Sequence, residues 1–292
     1  MKKLALFAVI VFLAIANING QNKDSFTIKA NWRKKEVKEM IEIRSVSFVQ
    51  YGVENSVSND TVARYQISVV HKNKKGYRVE WKLVNDSLDY GDPAFIKNYF
   101  SQFKYVVETD PNGSFKELSN WEELIELNKE FKEEIIRDAQ KHKVGQLELN
   151  EIIAQMQLAE TKDELIVMCK DLTDILHNCY GEELPLNDTV FEPTFLSNDN
   201  IKDGIPATVK TVTADLGNDL IKISYEIIYD YVKLKELFEE TFPDQEYKEE
   251  TIISISEYLY NRKTGWIERI RFYNESVSSE MTYKSVREYI FK

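Results

Sequence analysis

The chain has 292 residues, 43% of them hydrophobic, with a formal net charge of −11 and only 10 Gly and 6 Pro. Its acidic residues are spread along it without a basic cluster to neutralise phosphates, which argues against nucleic acid and against anionic membrane surfaces as partners. So little Gly and Pro is also unlike a low-complexity or linker-rich chain.

The first element is a leader. Met1, Lys2 and Lys3 precede an apolar run from Leu4 to Ala16, followed by Asn17, Ile18, Asn19 and Gly20. A short basic segment, about 13 apolar residues and a small residue before a polar start predict a secretory signal peptide over 1–20, cut after Gly20, with Ala16 as the competing site. The run falls short of the roughly 20 residues that a transmembrane helix needs, and no later run approaches that length. The expected destination is the periplasm or the outer cell surface.

About 270 residues remain, enough for one large core or two smaller ones. Val37 to Tyr51 reads as a long strand whose change of apolar parity implies a bulge, and Asn55 to Asp60 as a loop. Ala63, Tyr65, Ile67 and Val69 alternate with polar residues, as do Tyr77, Val79, Trp81 and Leu83 after a turn. Pro93 then starts a short helix lined by Phe95, Ile96, Tyr99, Phe100 and Phe103. Two short strands follow, Tyr105 to Glu108 and Phe115 to Leu118, around a turn at Gly113.

The middle is helical. Ser119 with Glu122, and Asn120 with Glu123, read as overlapping capping boxes for a helix on Trp121, Leu124, Ile125, Phe131 and Ile135. Leu147 to Ala159 and Glu164 to Tyr180 are two further helices, the second opened by a capping box of Thr161 and Glu164. Leu184 to Gly204 reads as a loop-like crossing. Strands resume at Ala207 to Ala214 and Leu220 to Tyr229. A helix from Tyr231 to Phe242 on Leu234, Leu237 and Phe238 precedes the hairpin Thr251 to Tyr273, which turns at Gly265, and Glu280 to Phe291 is a last strand.

These elements define an α+β class with antiparallel β-sheets and short amphipathic helices. Residues 61–118 and 207–273 share one order: strand, turn, strand, short helix, strand, Gly turn, strand. The expected organisation is therefore a β-rich half over 21–118, a helical insert over 119–183 and a second β-rich half over 184–292. Internal duplication and the ordinary likeness of meanders both account for the shared order.

Two cysteines, Cys169 and Cys179, invite a disulfide in an exported chain. Both fall on the apolar stripe of the helix from Glu164, where ten residues separate them by about 15 Å, so two buried free thiols are expected. Of the three histidines, His71 and His142 lie in charged, solvated settings. His177, three residues after Asp174, lies on the polar face of its helix, where a surface position is expected. No phosphate-binding Gly loop, nucleophile elbow or zinc-protease signature is present, and no metal or cofactor is implied. Glu122 with Glu123 and Glu239 with Glu240 point about 100° apart on their helices, which makes them solvated charge and not acid–base dyads.

Asp60-Thr61-Val62, Asp86-Ser87-Leu88 and Asp188-Thr189-Val190 each resemble the Asp-Ser/Thr-apolar sequon of periplasmic O-glycosylation, with Thr61, Ser87 and Thr189 as acceptors. Local turn chemistry accounts for the same triplets equally well. As an order of elements from Glu36 to Lys292, the chain resembles secreted bacterial families of unknown function. It is also similar to the periplasmic lipoprotein-carrier fold, a curved antiparallel sheet closed by helices over an apolar cavity. The helices from Ser119 to Tyr180 depart from that pattern as extra material, and no functional residue carries across.

The reading that follows is a non-catalytic binding protein for an apolar small molecule or a partner chain. Its site is an apolar cavity lined by Tyr65, Trp81, Phe100, Tyr225 and Trp266. The alternatives are a structural or adhesive surface component, whose inserted helices fill that space as core, and an unrecognised hydrolase.

Overall fold

The computed structural model describes residues 24–50, 53–84, 94–156, 158–198, 201–247, 249–279 and 281–292. The strands are β1 (Ser25–Thr27), β2 (Val37–Gln50), β3 (Val53–Asn73), β4 (Gly76–Leu83), β5 (Lys104–Thr109), β6 (Phe115–Leu118), β7 (Glu183–Pro185), β8 (Thr189–Asn198), β9 (Ile201–Gly217), β10 (Leu220–Tyr229), β11 (Glu250–Asn261), β12 (Trp266–Ser278) and β13 (Met281–Phe291). The helices are α1 (Ala94–Gln102), α2 (Trp121–Lys141), α3 (Gln146–Met156), α4 (Lys162–His177) and α5 (Tyr231–Thr241).

Eleven strands form one antiparallel sheet in the order β6-β5-β4-β3-β2-β13-β12-β11-β10-β9-β8, and β1 pairs with β7 in a small second sheet. The α+β class is as the alternation implies. The strands of 37–118 and those of 189–291 meet where β2 pairs with β13, from Met40 opposite Phe291 to Gln50 opposite Met281. Each side keeps the order strand, strand, helix, strand, strand: β3-β4-α1-β5-β6 and β9-β10-α5-β11-β12.

Two segments expected as loops are strand. Residues 55–60 lie inside β3, where Asn55 to Val57 and Asp60 pair with β2 across a register shift. Asn, Ser and Asp disfavour strands, but the ladder to a formed neighbour overrides propensity. Residues 189–198 are β8, the edge strand, which tolerates Pro193 because its outer side needs no donor.

The main core lies on one face of the sheet, here the inner face. Val79, Trp81, Tyr105 and Val107 come from β4 and β5, Ile221 and Ile223 from β10, Tyr258 and Tyr260 from β11, and Ile270 and Tyr289 from β12 and β13. Over them lie residues 28–32, α4 through Leu165, Cys169 and Leu176, and the turn after it through Cys179 and Tyr180. The extended N-terminal segment is fixed by side chains and turns. Trp32 stacks on Trp266 with ring centroids 4.7 Å apart, and its Nε1 donates to Gly265 O at 3.0 Å. The Tyr180 hydroxyl donates to the same carbonyl at 2.7 Å. Gly265 makes this approach possible: its φ is +71°, and a Cβ there would stand 2.1 Å from Asn31 N.

Cys169 and Cys179 are both free and buried. Thr161 and Glu164 form the expected capping box of α4. Asn120 does not cap α2 with its side chain, which instead accepts from Val106 N at 2.9 Å and donates to Lys104 O at 2.9 Å. A second apolar cluster joins α1, α2 and α3, with Tyr99 stacked on Phe131 at 3.9 Å. No helix among the described residues is long and apolar enough to cross a membrane. Residues 1–20, read as the leader, lie outside the described residues.

Candidate functional site

Strand register decides which side chains share a face. One inner row follows directly from the pairing: Val190, Thr211, Tyr225, Ser256, Phe272, Arg287 and Arg44, one residue from each of β8, β9, β10, β11, β12, β13 and β2. The row beneath it includes Ile223, Tyr258, Ile270, Tyr289 and Glu42, all buried. In the row above, Ile227, Ser254, Asn274, Ser285 and Val46 are all half-buried. On β11, β12 and β13 the core therefore ends along this line, whereas on β8, β9 and β10 the inner face stays buried beyond it at Leu196, Ile205, Ala207, Val209 and Tyr229, with Leu234 of α5 packed against them.

Aromatic rings follow the boundary in a zigzag. Tyr225 meets Tyr258 at 5.7 Å, Tyr258 meets Phe272 at 6.3 Å, and Phe272 meets Tyr289 at 6.1 Å, each pair close to edge-on. Such T-shaped contacts add about 1 kcal/mol each beyond area burial and hold the rings in place. Tyr225 and Phe272 are half-buried, so the belt presents apolar edges at the boundary.

The two ends of the belt differ in charge. Beyond Tyr289 lies Glu42, 2% exposed, whose Oε1 accepts from Arg44 Nε at 2.5 Å and from Arg287 Nε at 2.7 Å. The Arg287 guanidinium lies 5.1 Å from the Tyr289 ring centre. Tyr289 Oη is buried with no hydrogen-bond partner among the described residues. At the other end the Tyr225 hydroxyl donates to Glu182 Oε2 at 2.6 Å. Burial raises the Glu182 carboxyl to about 7, the Tyr225 bond opposes this, and the charge of Glu192 adds to it. Burial and the Glu182 charge together push the Tyr225 phenol up.

The outer face of the same strands is built differently. Lys210 pairs with Glu226, Lys222 and Arg271 with Glu257, Arg269 with Glu288, and Lys284 with Glu275. Those cross-strand ion pairs suit a face in water.

Of the five residues expected to line a cavity, Trp81 and Trp266 are 1% and 0% exposed and belong to the packed core. Tyr65 and Tyr225 pack against that core as half-buried residues, and Phe100 belongs to the separate α1–α2–α3 cluster. The sequence reading missed the Glu42, Arg44 and Arg287 triad. It consists of single charges on three strand positions, and only register brings them together.

His177 is a correction. It is 1% exposed, not at the surface; its Nδ1 lies 2.7 Å from Gly113 O, and its ring centre is 5.8 Å from those of both Trp32 and Trp81. Burial holds its imidazole down at about 4. The polar face of α4 at this point turns toward the Gly113 turn, whose carbonyl gives the ring its partner.

Among the modification candidates, Thr61 is exposed but lies within β3, and Thr189 is exposed at the first position of β8. Ser87 lies outside the described residues.

The site thus belongs to an antiparallel α+β protein with one mostly covered sheet face. No family model and no curated protein matches the chain. Among solved structures, one titled for lipid–protein interactions in lipovitellin is similar over 90% of this chain, with a TM-score of 0.38 and 7% identity. That match covers 25% of the lipovitellin chain, so this chain spans about a quarter of its length.

Proposed function

We propose that the protein is an exported, non-catalytic binding protein that holds an apolar or amphiphilic small molecule against the inner sheet face. The observation that carries this reading is the contrast between the two faces beyond the core boundary. The outer face is laced with ion pairs, whereas the inner face along β11 to β13 presents the half-buried Phe272, with Tyr225 on β10, held edge-on against the buried Tyr258 and Tyr289. Ligand sites combine such aromatic surface with a few placed polar groups, here the Glu182–Tyr225 pair and the two arginines.

Titration with the neutral fluorescent probe Nile red tests it. Saturable binding, weakened about tenfold or more by Phe272→Ser in a folded variant, supports the reading. Absence of saturable binding to the wild type overturns it.

A second reading, a surface component that engages a partner chain, is favoured by exposed aromatics on the edge strand. Phe191 and Phe195 of β8 are 59% and 69% exposed. Phe195 also borders a groove of about 710 Å³ with Pro206 and Leu237 of the α5 end. Concentration-dependent self-association or capture of a surface partner that is lost in Phe191→Ser/Phe195→Ser supports this second reading.

Export belongs to the same proposal. A leader over 1–20 places the mature chain in the periplasm or on the outer surface, where Thr61, Ser87 and Thr189 would meet a glycosyltransferase. Intact mass of protein from its native compartment tests both points. A retained Met1 would remove the export proposal, and a mass equal to the bare mature chain would remove the modification.

A further inference from the structure

The charge at one end of the aromatic row narrows the ligand, provided that the binding reading holds. Arg44 and Arg287 stand opposite one another on β2 and β13, and both use Nε to hold the same oxygen of Glu42. Glu42 is 2% exposed, while the side chains of Arg44 and Arg287 are 48% and 42% exposed. A buried carboxylate therefore pins the arms of two guanidiniums whose terminal amines make no further bond among the described residues. Planar guanidinium edges with free N–H groups match a carboxylate in a two-bond fork.

The opposite end of the row is acidic and offers an anion no partner. Glu182 stands at Tyr225, and Glu192 acts on it from β8. Between the ends lie Ser256 and Phe272, flanked by the buried Tyr258 and Tyr289. Strands spaced about 4.8 Å apart give the path from β10 to β13 a length of about 14 Å, long enough to support an extended alkyl chain.

We propose that this row binds a single-chain amphiphile with a carboxylate head, seated on Arg44 and Arg287, with its chain laid across Phe272 toward Tyr225. A singly charged head is preferred to a phosphate dianion, because Glu42 already offsets one of the two arginine charges.

The test is displacement of bound Nile red by dodecanoate, dodecanol and dodecyl phosphate, each below its micelle concentration. Dodecanoate is expected to displace the probe at about tenfold lower concentration than dodecanol, a preference of one charge-assisted pair. Dodecyl phosphate is expected to be no better than dodecanoate. Removing one arginine alone would leave Glu42 buried with less compensation and threatens folding. The triple change Glu42→Gln/Arg44→Gln/Arg287→Gln removes all three charges together and, in a folded variant, is expected to abolish the preference for dodecanoate over dodecanol. Nile red saturation without a carboxylate preference in the wild type overturns the head assignment and leaves the binding reading standing. So does a preference that survives the triple change, or phosphate binding more tightly than carboxylate. Failure of the wild type to bind Nile red at all overturns both.

Discussion

Glu182 and His177 sit a few residues apart on the cover of the sheet and respond to pH in opposite senses. Burial raises Glu182 to about 7, so between the ordinary carboxylate value of 4.5 and about 7 the folded chain holds a proton that the unfolded chain has lost. Its contribution to stability is complete at low pH and declines as pH rises through that window. The shift corresponds to about 3 kcal/mol; since Glu182 is only partly buried, solvent screening reduces the expected loss to about 2 kcal/mol. His177 is held down to about 4, so its contribution is complete above 6.5 and is lost as pH falls toward 4. Urea unfolding of the wild type and of Glu182→Gln, measured from pH 4.5 to 7.5, separates the two. Gln keeps an oxygen for the Tyr225 hydroxyl, and the variant should lose the decline toward neutral pH and keep the decline toward acid. Parallel stability curves for the two proteins would show that Glu182 titrates normally.

At the scale of elements, one glycine joins the hairpin β11–β12 to the N-terminal segment. Gly265→Ala places a Cβ against Asn31 N in a left-handed backbone and disturbs the carbonyl that receives Trp32 and Tyr180. The expected cost is about 3 kcal/mol or more. Gly217→Ala is the control, since Gly217 has a similar φ of +76° but open space around it, and only the backbone preference of about 1 kcal/mol applies. Equal midpoints for the two variants in urea would refute the close-packing account. The hairpin and its glycine were legible because period-two alternation and a Gly turn are local signals. Residues 55–60 and 189–198 were not: their strand character comes from pairing with β2 and β9, which no local window contains. Asn120 shows the same limit on a smaller scale. Its type fits a helix cap, yet its amide is taken by β5 across the turn.

For the whole molecule, the class and the aromatic load were legible, while the site was not, because its row takes one residue from each of seven strands. Trp81 and Trp266 illustrate why: alternation places them on the inner face, but only the packing of residues 28–32 and α4 shows that they are covered. The same cover makes the two thiols reporters on how the sheet opens. Cys169 lies by Tyr105 of β5, whose phenol it helps to raise, and Cys179 acts in the same way on Tyr258 and Tyr260 of β11. One thiol thus faces strands from the first part of the chain and the other faces strands from the second. Burial pushes the Cys169 thiol up to about 12 and that of Cys179 upward as well, so neither reacts without opening. If the sheet and its cover open as one unit, thiol labelling of the native protein should give both cysteines the same opening free energy. That value should match global unfolding in urea to within about 1 kcal/mol. Labelling of single-cysteine variants, Cys169→Ala and Cys179→Ala, assigns each rate. A Cys179 that labels orders of magnitude faster than Cys169 would mean that the β9–β12 side opens by itself. Residues 28–32, which bridge Trp32 and Trp266, would then be a latch that releases before the rest of the core.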